Sequence, residues 1–130
     1  RCLVPANGFY EWKNLGDHKQ PYYITVPDDP LFAFAGLYDT YTNDEGEEAS
    51  TYTIITTEPN ELMSTLHNRM PVILHPQDEE EWLDPEVTDP MQVERLLVPY
   101  PSVEMEAFPV SRKVGNTRNN SPDLIEPIEE

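Results

Sequence analysis

Basic residues are scarce in this chain. Eight lysines and arginines stand against 25 acids, a formal net charge of −17, and only Lys13, Lys19 and Lys113 are lysines. A surface of that sign repels nucleic acid and anionic membranes. A second reading is adaptation to a very salty cytoplasm, where salt would screen the repulsion over a few ångströms. Cysteine is scarcer still: Cys2 stands alone, which excludes an internal disulfide framework and a cysteine-built zinc cluster. The three histidines, His18, His67 and His75, have no ligand-like spacing, so no metal and no cofactor is expected. No apolar run approaches the roughly 20 residues that cross a bilayer. The opening Arg1–Pro5 has neither the long apolar region of a signal peptide nor an initiating Met. The chain is therefore read as a fragment of a longer protein.

What is present indicates a folded domain rich in strands. Phe9–Trp12 alternates around a glutamate, Gly16–Lys19 has the composition of a hairpin tip, and Pro21–Val26 is a second strand. Leu31–Tyr38 is an apolar strand read as buried on both sides, and residues 42–50 form an acidic loop. Thr51–Thr57 and Met70–Leu74 are further strands. Short helices are predicted after Glu58-Pro59-Asn60, over Pro76–Leu83 and over Asp89–Val98. Val103–Pro109 is a strand or an extended arm. About six strands and two or three short helices, with no βαβ repeat and no Gly-rich phosphate loop, predict a mixed α+β fold built as an irregular, partly closed barrel.

Three places carry residue types suited to chemistry. Glu11 lies between Tyr10 and Trp12 with Phe9 beside them. A carboxylate framed by aromatics is a candidate for partial burial, which favours acid–base use; the alternative is a solvated residue on an alternating strand. His67 precedes Arg69 by two, in a run without acids from Leu62 to Gln77. Imidazole suits proton transfer near neutrality and a guanidinium holds anions; the alternative is a helix-capping histidine and a surface arginine. Residues 107–122 contain Arg112, Lys113 and Arg118 and no acid. Gly115, Asn116, Asn119 and Asn120 add backbone access and amides suited to phosphate contacts, against the alternative of a solvated loop. Thr56, Thr57 and Asn60 place hydroxyls and an amide at a strand end, and serve equally well as helix caps.

Five stretches together resemble the SRAP family, the SOS-response-associated peptidase-like proteins: RCLVPANGFYEW (1–12), KQPYYI (19–24), FAFAGLYD (32–39), TIITTEPNELMSTLHNRMPVIL (53–74) and FPVSRKVGNTRNN (108–120). The resemblance implies recognition of abasic sites in single-stranded DNA, with covalent capture of the opened sugar as a thiazolidine on an N-terminal cysteine. It implies Glu11 and His67 as catalytic residues. It implies Arg69 as a phosphate contact, and Arg112, Gly115, Asn116 and Asn119 as lining the DNA cleft, with Thr57 and Asn60 as further candidate contacts. Cys2 falls in the RCLVPA strand, after Arg1, so its amine is acylated. The expectation is accordingly that residues 1–130 are the C-terminal two-thirds of a single domain, that the catalytic cysteine is absent, and that this chain alone is inactive. A peptidase acting mainly on itself, or a non-covalent DNA-binding module, are the alternatives. The expected partner is single-stranded DNA with an abasic site, the expected state a monomer away from membranes, and the expected location cytoplasmic, with nucleoid association on damaged DNA.

Overall fold

The computed structural model describes residues 1–129. Among the described residues nine strands run in order as β1 (Cys2–Ala6), β2 (Phe9–Asn14), β3 (Lys19–Thr25), β4 (Phe32–Thr42), β5 (Glu48–Ile54), β6 (Thr56–Thr57), β7 (Met70–Pro71), β8 (Ile73–Leu74) and β9 (Glu106–Pro109). Three short helices, α1 (Glu61–Ser64), α2 (Pro76–Leu83) and α3 (Pro90–Glu94), lie between β6 and β9.

The strands form three separate sheets, ordered β1-β4-β5 with β8 also on β4, then β2-β3-β9, and the pair β6-β7. The expected barrel is thus corrected: among the described residues no ladder closes on itself. Turns that move the chain from one sheet to the other are the physical reason. The Asn7-Gly8 turn carries the chain from the first sheet to the second, and the turn at Val26–Asp29 carries it back. β1 covers one edge of β4 over Phe32–Gly36, so β8, at Ala33 and Phe34, and β5, from Gly36 onward, share the other edge. That edge is bridged at the join by Ala35 N–H donating to Val72 O and Ile55 N–H donating to Ala35 O.

The two larger sheets share one core instead. Ile24 and Val26 from one side and Phe32 and Phe34 from the other are buried with Met63, Met70, Tyr100 and Met105. Phe9 of β2 meets Phe34 of β4 edge-on, at 5.6 Å between centroids. Each such aromatic pair contributes about 0.5–1.5 kcal/mol beyond its buried area. A smaller cluster of Ala35, Val72, Leu74, Trp82 and Leu96 seats α2. Trp82 Nε1 donates to Cys2 O at 2.9 Å, and the Arg1 guanidinium donates to the carbonyls of Trp82, Asp84 and Val87. A cation at the C-terminal carbonyls of a helix suits the helix dipole.

The hairpin tips follow turn chemistry. Gly16 and Gly46 both have positive φ, at 94° and 80°, where a Cβ would be strained. Residues 42–50 are less of a loop than expected, because β4 runs to Thr42 and β5 starts at Glu48, with Asn43 Oδ1 accepting from Glu45 and Glu47 N–H across the tip. Of Leu31–Tyr38 only Phe32–Gly36 is buried; Leu31, Leu37 and Tyr38 are exposed. α3 is shorter than the predicted Asp89–Val98 because no residue on it is buried. No helix is long and apolar enough to cross a membrane among the described residues.

Gly8 is fixed by packing. A Cβ there would lie 2.1 Å from Tyr23 Cζ and Oη, and that ring is confined between Tyr10 at 5.3 Å and Phe108 at 5.9 Å. Gly8→Ala is predicted to destabilise the fold by about 1–3 kcal/mol, the range for overpacking. Urea denaturation checks this, with Gly115→Ala as the control because nothing lies within 4 Å of its Cβ position.

Candidate active site

Glu11 sits mid-strand on β2, opposite Tyr22 of β3, which is in turn opposite Pro109 of β9. His67 reaches it from a different layer, just past α1. The short helix has Asn60 as its N-cap, and the chain then makes one further tight turn in which Leu66 and His67 N–H both donate to Met63 O. Met63 is fully buried. The imidazole is thereby carried to Glu11, with Nε2 at 4.0 Å from Oε1. The separation exceeds a direct hydrogen bond, and acid–base pairs in ligand-free sites are commonly loose in this way.

The two side chains differ in exposure, 23% for Glu11 and 47% for His67. Glu11 is thus half-buried, as its aromatic frame suggested, and it remains reachable. The hydrogen bonding assigns the histidine tautomer. Arg69 N–H donates to His67 Nδ1 at 3.2 Å, so in the neutral ring Nδ1 is the acceptor and Nε2 carries the proton. Nε2–H therefore faces the Glu11 carboxylate. Beside Glu11, burial pushes the phenol of Tyr10 up, and burial together with Tyr10 pushes up that of Tyr23. Both stay neutral hydroxyls near neutral pH.

Arg69 is exposed and its guanidinium is held in place by neutral groups: it donates to Thr56 O at 2.8 Å and to Thr56 Oγ1 at 3.2 Å. No carboxylate pairs with it among the described residues, so its charge is left for an outside anion. Thr56 was the less obvious residue of the pair; Thr57, singled out in the sequence, instead turns its hydroxyl toward Leu97 O at 3.5 Å. The signal for Thr56 was weak: β6 pairs with β7 as Thr56↔Pro71 and Thr57↔Met70, which places Arg69 just beyond the last pair. Asn60 faces inward. Its Oδ1 accepts from Met63 N–H, and its amide group donates to Tyr100 O and Met105 Sδ.

Arg112, Gly115, Asn116 and Asn119 lie together after β9, on an exposed 3-10 turn over Arg112–Gly115 and the residues following it. Asn119 Nδ2 donates to Lys113 O, and Asn116 Oδ1 accepts from Arg118 N–H. These contacts fold the segment on itself. It is joined to the Glu11 sheet through Val110 N–H, which donates to Pro21 O, and through Gln20, whose buried amide donates to Val110 O.

The expectation of a missing cysteine is corrected. Cys2 is present, free and half-buried on β1, so absence of a cysteine gives no ground for calling this chain inactive. Its Sγ lies 2.9 Å from the Cβ position of Gly36. Cys2 also lines an apolar recess of about 350 Å³ with Leu3, Val4, Pro5, Tyr38 and Tyr52. Its nitrogen is in the peptide bond to Arg1, which leaves the thiol as the reactive group it offers. Cys2 and Glu11 belong to different sheets. No cluster of three or more His, Cys, Asp or Glu is placed to hold a metal ion among the described residues.

The model of the SOS response associated peptidase (SRAP) family matches residues 1–117. The abasic site processing protein YoqW of Bacillus subtilis is 52% identical over 127 residues, which is 97% of this chain and 57% of that protein. The abasic site processing protein YedK of Escherichia coli is 32% identical, over 98% of this chain and 58% of its own length. A crystal structure of a Bacteroides thetaiotaomicron protein superposes with a TM-score of 0.91 at 36% identity, covering 98% of this chain and 56% of that one. The chain thus spans a little over half the length of these relatives, and they lend the salt-adapted reading no support. With its match over residues 1–117 and these relatives, the chain belongs to the SRAP family.

Proposed function

We propose that this chain processes abasic sites in single-stranded DNA by capturing the opened sugar covalently, with Glu11 and His67 moving and stabilising charge at the lesion. The observation that carries this reading is the approach of the Glu11 carboxylate and the His67 Nε2–H from two different layers of the fold. Relatives named as abasic site processing proteins, matched over nearly the whole chain, support it. An abasic sugar is mostly a ring-closed hemiacetal and reacts as its open aldehyde. Glu11, a proton acceptor, takes the proton of the C1′ hydroxyl. As the C1′–O4′ bond breaks and C1′ becomes an aldehyde, His67 donates a hydrogen bond from Nε2 to O4′, which takes the proton held by Glu11 and becomes the 4′-hydroxyl; the group that then adds to the aldehyde gives its own proton to the aldehyde oxygen. Arg69 holds a flanking phosphate, and Arg112, Gly115, Asn116 and Asn119 meet the backbone further along. The protein acts as a monomer in the cytoplasm.

The test is adduct formation between the protein that contains this chain and a single-stranded oligonucleotide with one abasic site, read on a denaturing gel. Glu11→Gln is expected to slow the adduct by about 10²- to 10⁴-fold, the usual contribution of a general base, and His67→Ala to slow it comparably. A tetrahydrofuran lesion, which cannot open, should give none. Loss of the adduct in a folded Cys2→Ser variant would assign the linkage to the Cys2 thiol, and an unchanged adduct would assign it to another group. Cleavage of an unrelated peptide without DNA, with no adduct, would favour a peptidase.

Arg69 is expected to act on affinity more than on chemistry. Arg69→Ala should weaken binding to undamaged single strands and lower the slope of log Kd against log salt by about 0.7, the value for one phosphate contact on a single strand. Fluorescence anisotropy across a salt series measures both.

A further inference from the structure

We propose that Asn60 is a positioning residue for His67 and makes no contact with DNA; the inference rests on the catalytic reading of His67. A helix of four residues has no stability of its own, so α1 must be held by its surroundings. Asn60 supplies most of what holds it. Its Oδ1 accepts from Met63 N–H at 2.8 Å. Its Nδ2 donates to Tyr100 O at 2.6 Å and to Met105 Sδ at 3.3 Å. Its own N–H donates to Met70 Sδ at 3.3 Å, and its carbonyl accepts from Ser64 N–H at 2.9 Å. Both amide protons are thus engaged inside the fold, and none is left to donate to a ligand.

The consequence for the site runs through Met63. Asn60 fixes its N–H, and its carbonyl in turn accepts the N–H of His67 at 2.9 Å. The residue between the two is fully buried, with no freedom to shift. On the far side, Tyr100 and Met105 belong to the same buried cluster as Phe34 and Ile24. Ser102 Oγ accepts from Leu62 N–H at 3.2 Å, a second tie between α1 and that segment. A short path of hydrogen bonds therefore runs from the common core through Asn60 and Met63 to the imidazole-bearing residue. The side chain of His67 is itself half-exposed, so the backbone must do the aiming. Displacement of about 1 Å in a reacting group can lower a rate by about 10²-fold.

Only an amide serves both ends of this link. Serine keeps the cap and loses the bonds to Tyr100 and Met105. Aspartate keeps the cap and turns a carboxylate oxygen onto the Tyr100 carbonyl. Neither change touches the exposed face of His67.

The experiment compares Asn60→Ser and Asn60→Asp with the parent protein. At saturating abasic DNA, the maximal rate of adduct formation should fall 10- to 100-fold, with Kd for undamaged single strands within twofold. In a His67→Ala background the same changes should cost less than threefold, since a group that acts through His67 has nothing left to position. A raised Kd with an unchanged maximal rate would overturn the proposal in favour of a DNA contact. A full additional loss in the His67→Ala background would overturn it in favour of general destabilisation. Amide hydrogen exchange, with no DNA present, separates this idea from the proposed chemistry. Exchange at His67 N–H should speed up at least tenfold in Asn60→Ser while the buried Ala35 N–H on β4, which donates to Val72 O, is unchanged. Unchanged exchange at His67 would overturn the link whatever the protein does to abasic sites.

Discussion

The packing of the two larger sheets against one another, with Phe9 on Phe34 at its centre, is the constraint from which the rest of the structure follows. Glu11 lies two residues beyond Phe9 on β2, so that contact sets the depth and direction of its carboxylate. Phe34 is buried with Met63 and Met70, the two residues that bracket His67 and Arg69 in sequence. One core therefore positions the carboxylate from one side and the imidazole from the other. Hydrophobic burial is non-directional. The directional part comes from a few hydrogen bonds laid over it: the strand register that places Glu11 opposite Tyr22, and the cap that starts α1.

Much of this was legible in the sequence, for identifiable reasons. β2, β3 and the first half of β4 carry aromatic or β-branched residues between clear turn signals, and they fold as strands. Pro76 followed by Asp78 and Glu79 marked the start of α2. In β1, Pro5 and Ala6 are poor strand formers, and pairing with Phe32–Gly36 holds the segment as a strand. Barrel closure failed for a related reason. Counting strands does not show which edges meet, and here β5 and β8 compete for a single edge of β4.

The candidate site was legible as residue types and not as geometry. Glu11 and His67 were identifiable as candidate acid–base residues, but their meeting depends on the layer packing that no local pattern encodes. The Thr-Thr-Glu-Pro-Asn run shows the limit most clearly. A polar cluster at a strand end has the same composition whether it faces a ligand or caps a helix. The structure divides the run by residue: Thr56 supports Arg69, Thr57 turns toward Leu97 O, and Asn60 is tied into the core. The expectation that the catalytic cysteine is absent came from reading Cys2 as a strand residue behind Arg1, whereas Cys2 is in the chain with a free, half-buried thiol.

The charge of −17 raises the question of how such a protein would approach a polyanion. Screening length decides how much of it matters. At physiological ionic strength the Debye length is about 8 Å, so acids on the hairpin tip at Asp44–Glu48 and on the outer face of α2 act mainly on encounter rates. Contact energies are set by the groups within that distance. Arg95 is paired with Glu81, and Arg1 is drawn onto the carbonyls at the end of α2. Arg69 instead rests on a hydroxyl and a carbonyl, with its charge uncompensated. Arg69 lies two residues from the imidazole that faces Glu11, close enough for its charge to act at the site within the screening length.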